Sequence, residues 1–164
     1  MKSMLSAALL AAALVRAEPV DHIRDLYRSA GEDIESGALY TTEVRLNSGE
    51  LPYPGSGIFS RTVTFYWSAE PWATPAHRLV KALVSWEVSA VTGDDEYLFD
   101  RDGGLVFCLR TGGLDELEQR FYYSDGRLIR FMDSADADDS PDPRLGEEPL
   151  NEGETLKQAF LLLH

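Results

Sequence analysis

Apolar and polar residues follow a helical stripe near each end of the chain and alternate through most of its middle. From 20 to 36, Val20, Ile23, Tyr27, Ala30 and Ile34 recur at helical spacing, with Leu26 at the edge of the stripe. Asp21, Arg24, Asp25, Arg28, Glu32 and Glu35 take the opposite side. Pro19 suits the start of this helix and Gly37 its end. Tyr40, Thr42, Val44 and Leu46 then alternate with Thr41, Glu43 and Arg45, which predicts a half-buried strand over 39–46. A Pro- and Gly-rich loop over 47–60 leads to a second strand over 61–68, with Val63, Phe65 and Trp67 on one face. The pattern predicts the longest strand over 79–91, where Val80, Ala82, Val84, Trp86, Val88 and Ala90 form an apolar face. One apolar and one polar face predict an antiparallel sheet covered on one side. Thr92 to Glu96 reads as the turn that follows.

Between Glu96 and Asp133 two similar units occur, each an aromatic run, then Asp-Gly, then Leu with a β-branched residue. Asp-Gly supplies the positive φ values of a tight hairpin turn, so both units predict hairpins. Asp125-Gly126 is the turn of the second, with Tyr123 opposite Leu128 and Tyr122 opposite Ile129. Asp102-Gly103 is the turn of the first, where Gly104 also permits a three-residue loop. The segment 133–150 is acidic and Pro-rich and reads as a mobile loop. A last helix is expected from Asn151, with Glu154 completing a capping box and Leu156, Ala159, Phe160 and Leu163 as its apolar stripe. The fold class predicted is α+β: an N-terminal amphipathic helix packed on a twisted, curved antiparallel β-meander of about six to seven strands, with a short C-terminal helix.

The N-terminus changes the picture of where the chain works. Lys2, an apolar run from Met4 to Leu14, and Val15-Arg16-Ala17 have the layout of a secretory signal peptide over Met1 to Ala17. Residues 18–164 then make a single domain, exported to a periplasm or the medium, with no membrane span expected. The formal net charge of −13 disfavours nucleic acid and anionic membranes as partners. A single cysteine, Cys108, excludes an intramolecular disulfide and reads as a small buried hydrophobe.

Candidate chemistry is sparse. No Gly-x-Ser-x-Gly, His-Glu-x-x-His or phosphate-binding glycine loop is present, and His22, His77 and His164 have no motif around them. Calcium is the metal that the acidic turns would suit, with Asp94, Asp95, Asp100 and Asp102 as candidate oxygen ligands. Tyr53, Tyr66, Trp67 and Trp72 exceed what a small core needs and are candidate ligand or partner contacts; if both sheet faces are buried, one by each helix, these aromatics are core instead. These features favour a non-enzymatic exported module that binds a protein or small ligand. The alternative is a small hydrolase or ligand carrier with a pocket between sheet and helix. A pocket holding Trp67 or Trp86 beside a buried carboxylate or His77 would favour that alternative. Homodimerisation through an open sheet edge or the last helix is a third possibility.

Overall fold

The fold is a computed structural model that describes residues 2–164 other than 56, 73, 75 and 135, with side-chain surroundings from Pro19 onward except at Tyr53. Helix α1 covers Lys2–Glu35, with Pro19 inside it. The leader expected over Met1 to Ala17 therefore falls on residues whose side chains lie outside the described part. Strands follow as β1 (Tyr40–Leu46), β2 (Pro52–Tyr53), β3 (Gly57–Ala69), β4 (His77–Val88), β5 (Val91–Phe99), β6 (Leu105–Gly112), β7 (Leu117–Ser124), β8 (Arg127–Asp133) and β9 (Asp136–Asp138). The last helix, α2, covers Glu147–Leu163. The architecture is α+β, and the sheet is antiparallel in the order β1-β3-β4-β5-β6-β7-β8-β9, with β2 pairing β3 beside it. Among the described residues no helix is long and apolar enough to cross a membrane.

Several expected boundaries move. Eight strands lie on the main path, more than the six to seven predicted, because β9 forms inside the acidic segment. That segment is not one loop: it supplies β9, a 3-10 turn over Pro143–Gly146 and the first turn of α2. Asn151 is inside α2, whose N-cap is Gly146 with no side-chain cap, and Glu154 pairs with Lys157 and Gln158 instead of capping. Asp142 caps the 3-10 turn, accepting from the Arg144 amide. The stretch Thr92 to Glu96 is strand, and the chain reverses at Ser89-Ala90, where Ser89 takes φ of 58°. The second hairpin turns at Asp125-Gly126 with φ of 51° and 70°, as its sequence demands. Tyr123 opposes Leu128, but a bulge moves Tyr122 opposite Arg130 rather than Ile129. The first hairpin takes the three-residue loop, closed by the Asp100 amide donating to the Gly104 carbonyl at 2.9 Å.

Both faces of the sheet are covered, one by each helix, instead of one face by α1. Val20, Ile23 and Ala30 of α1 pack with Val80, Leu98, Phe107 and Tyr122. Leu156 and Phe160 of α2 pack on the larger cluster, which includes Phe65, Ala82, Tyr97, Cys108 and Phe121. A bulge in β4 explains why Val80 leaves the face of Ala82 and Val84 on which the alternation had placed it, while Leu79 joins them: Tyr66 pairs Lys81 and Trp67 pairs Leu79, so Val80 is stepped over. Burying Leu156 and Phe160 contributes roughly 1.5–3 kcal/mol each, which fixes α2 across the sheet.

Candidate functional site

Strand register arranges the α2 face of the sheet in three rows. The first row runs Phe65, Ala82, Tyr97, Cys108, Phe121, Phe131 and is apolar apart from the tyrosine hydroxyl. The second runs Val63, Val84, Asp95, Arg110, Gln119, Asp133 and becomes polar from β5 onward. The third runs Arg61, Trp86, Gly93, Gly112, Leu117. Helix α2 matches this gradient, laying Phe160 and Leu156 on the apolar rows and Glu152 and Glu148 over the polar ones. Between the polar rows and α2 lies a cavity of about 340 Å3, walled by Trp86, Asp95, Arg110, Gln119, Glu148 and Glu152 among others.

Two glycines make the room. Trp86 is paired across the strands with Gly93, and a Cβ on Gly93 would stand 2.3 Å from Trp86 Cζ2. The indole therefore lies against the Gly93 backbone. Gly112, opposite Gly93, has φ of 95°, and a Cβ there would stand 2.4 Å from the Thr92 carbonyl oxygen. Both positions require glycine for space, and the second also for its backbone.

The charged groups divide into a matched set and one remainder. Arg110 Nη1 donates to Glu148 at 2.5 Å, and Nη2 donates to Glu148 at 3.1 Å and to Glu152 at 3.2 Å. The Tyr97 hydroxyl also accepts from Arg110 Nη2, at 3.4 Å. Arg61 pairs with Glu152. Asp95 is 9% exposed, and none of the ion pairs around the cavity reaches it among the described residues. Burial pushes its carboxyl up to about 6, against the opposing pull of the Arg110 charge and the Trp86 hydrogen bond. Burial alone would lower Arg110, but hydrogen bonds to Glu148 and Tyr97 outweigh it and hold the guanidinium above its ordinary value. The same bond from Arg110 lowers Glu148. Burial raises Tyr97 and Cys108 well above their ordinary values. The Nε–H groups of Arg61 and Arg110 are buried without an acceptor among the described residues.

The residues singled out from sequence are dispersed. Asp95 is in the cavity wall. Asp94, its neighbour in β5, is exposed and accepts from the Ser85 hydroxyl at 2.6 Å. Asp100 closes the first hairpin by accepting from the amides of Asp102 and Gly104, and Asp102 is exposed in that loop. Among the described residues no group of three His, Cys, Asp or Glu side chains is placed to hold a metal. Trp67 stacks on Tyr40 at 4.7 Å and lies 4.9 Å from His77 and 4.5 Å from His164. Its indole donates to Thr42 at 3.1 Å. Tyr66 is half-buried in β3 beside Trp67, on the other face by strand alternation. Trp72 is 88% exposed in the β3–β4 connection. Tyr53 pairs Gly57 through its backbone, and its side chain is outside the described part.

Sequence reasoning did not single out Trp86, Arg110, Gln119, Glu148 and Glu152 as one site. The signal was available in the alternation. Gly93, Asp95, Tyr97 and Cys108, Arg110, Gly112 occupy inward positions, and a charge at an inward position of a strand is the anomaly that marks this site. No family model, curated protein or solved structure matches the chain.

Proposed function

We propose that the chain is an exported, non-enzymatic binding module that holds a small polar ligand in the cavity between the sheet and α2. Asp95 is the observation that carries this reading; with Trp86 beside it in a pocket between sheet and helix it meets the condition set for the alternative of a small hydrolase or ligand carrier, and the proposal is the ligand-carrier form of that alternative. Asp95 is a carboxylate 9% exposed, in the wall of a cavity beside an indole, and unmatched by the ion pairs around it. A buried charge left in that condition costs folding free energy, so a ligand that meets it is the simplest account of its presence. Export rests on the leader pattern of Met1 to Ala17, and N-terminal sequencing of the secreted chain checks it.

A catalytic reading has one point in its favour, since Asp95 keeps its proton to about pH 6, a useful range for a general acid. Against it, Tyr97 and Cys108 are fully buried with their ionisation suppressed, so neither is a nucleophile for a substrate in the cavity.

The test is the melting temperature of Asp95→Asn at pH 7.5. A carboxylate kept for a ligand is a burden on the empty protein, so the variant is expected to melt about 5 °C higher, the shift that roughly 2 kcal/mol gives a chain of this size. A lower melting temperature would make Asp95 a structural residue and remove the basis of the proposal.

A further inference from the structure

We propose that the ligand of this cavity is a small organic ammonium compound, with its positive group on the Asp95 carboxylate. This rests on the reading of the cavity as a ligand site and adds the ligand's charge and class. The first argument is the charge balance. Arg61 and Arg110 are matched by Glu148 and Glu152, so Asp95 leaves one uncompensated negative charge in the cavity wall. A cation compensates it, whereas an anion would meet Asp95 in the wall and two glutamates on α2. The chain's net charge of −13 also draws cations toward the site.

The second argument is Trp86. It lies in the cavity wall with its N–H directed to Asp95. That bond holds the carboxylate at the edge of the indole and leaves its remaining lone pairs for a cationic donor. A volume of about 340 Å3 is at the low end of ordinary ligand pockets and admits a small ligand.

Three probes of one size separate the possibilities: ethanolamine, ethylene glycol and glycolate, which carry positive, zero and negative charge. The readout is the indole N–H signal of Trp86 in the 15N-labelled full chain, assigned with Trp86→Phe, during titration at pH 7.5. Ethanolamine is expected to shift this signal with saturation. Its affinity should fall at least tenfold in Asp95→Asn, and the other two probes should leave the signal in place. A saturable, Asp95-dependent response to ethylene glycol or glycolate instead would overturn the cation assignment and keep the cavity as a ligand site. No response to any probe, with Asp95→Asn melting lower than the parent, would overturn both. No response with a variant that melts higher would overturn the cation assignment alone.

Discussion

Asp95 and Arg110 stand directly opposite each other on β5 and β6, yet the ion pairs of Arg110 run to Glu148 and Glu152 on α2. This division leaves a desolvated acid beside a cation already engaged elsewhere. It makes the site sensitive to pH, to helix position and to the volume of its glycine floor.

The pH dependence has a definite sign. The folded chain raises the Asp95 carboxyl from 3.8 to about 6. Between those values the folded state holds a proton that the unfolded state has released, so the contribution of Asp95 is fully present below about pH 4. It is lost as pH rises through 6. The two-unit shift corresponds to a ceiling of about 3 kcal/mol. Urea midpoints measured from pH 4 to 7.5 should fall for the parent relative to Asp95→Asn as pH rises. Parallel curves across that range would show that the carboxyl is not desolvated.

Glu152 and Glu148 both hold Arg110, but with different exposure. The Glu152 side chain is 23% exposed and also engages Arg61, while that of Glu148 is 75% exposed. Glu152→Gln leaves Arg61 without its counter-charge and Arg110 with Glu148 alone, and should cost about 1–3 kcal/mol. Glu148→Gln should cost under about 1 kcal/mol. Chemical denaturation of the two variants compares them, and equal losses would refute the central position assigned to Glu152.

Gly93→Ala tests the floor of the cavity. The new methyl would stand 2.3 Å from Trp86 Cζ2 and 2.7 Å from the Thr111 carbonyl oxygen, so the indole must swing away. A loss of about 1–3 kcal/mol is expected, with a changed Trp86 emission spectrum. Unchanged emission and stability together would mean that the indole does not lie on Gly93.

How much of this was legible in the sequence depended on the scale of the signal. The aromatic-Asp-Gly units specified the β5–β6 and β7–β8 hairpins, because the turn chemistry at Asp125-Gly126 is local. The stripe from Val20 to Ile34 likewise marked α1. The cover on the polar-patterned face was less visible: α1 lies there and α2 takes the apolar face, and an alternation of polar residues does not reveal what long-range partner covers them. Lys81 and Glu96 illustrate this. They look like solvent-facing charges, but they pair at 2.6 Å, and the Tyr27 hydroxyl of α1 donates to Glu96 at 2.6 Å. Asp95 was read as turn because Gly93 and two adjacent aspartates resemble one, whereas the glycine is there to admit Trp86. The start of α2 was misplaced because Asn151 and Glu154 match a capping pattern that the helix overrides by beginning at Glu147.

Tyr123 gives an independent check on how α2 enters. Its buried hydroxyl donates to the Gly146 carbonyl at 3.0 Å, just before the helix begins. Tyr123→Phe should cost about 1 kcal/mol by leaving that carbonyl unpaired. It should also loosen the first turn of α2, visible as faster amide exchange over 147–150. No change in exchange would show that the hydroxyl does not anchor the helix start.

Calcium is expected to leave the melting temperature in place at millimolar concentration. Asp100 is engaged by backbone amides, and Asp94 and Asp95 project to opposite faces of β5. A rise of several degrees would restore the acidic turns as a cation site.

The roof of the cavity comes from a distant part of the chain. Glu152 meets Arg61 across 91 positions and Arg110 across 42, whereas the meander beneath is built from neighbouring strands. During synthesis the floor is therefore made early, while residues 147–163 are still to be added. Until that helix docks, Arg61 and Arg110 lack the two glutamates that pair with them and the polar rows lie open to water. On the proposed function, ligand capture is thus a late event in the life of each molecule, and a ligand present at that moment would act as a folding aid for the last helix.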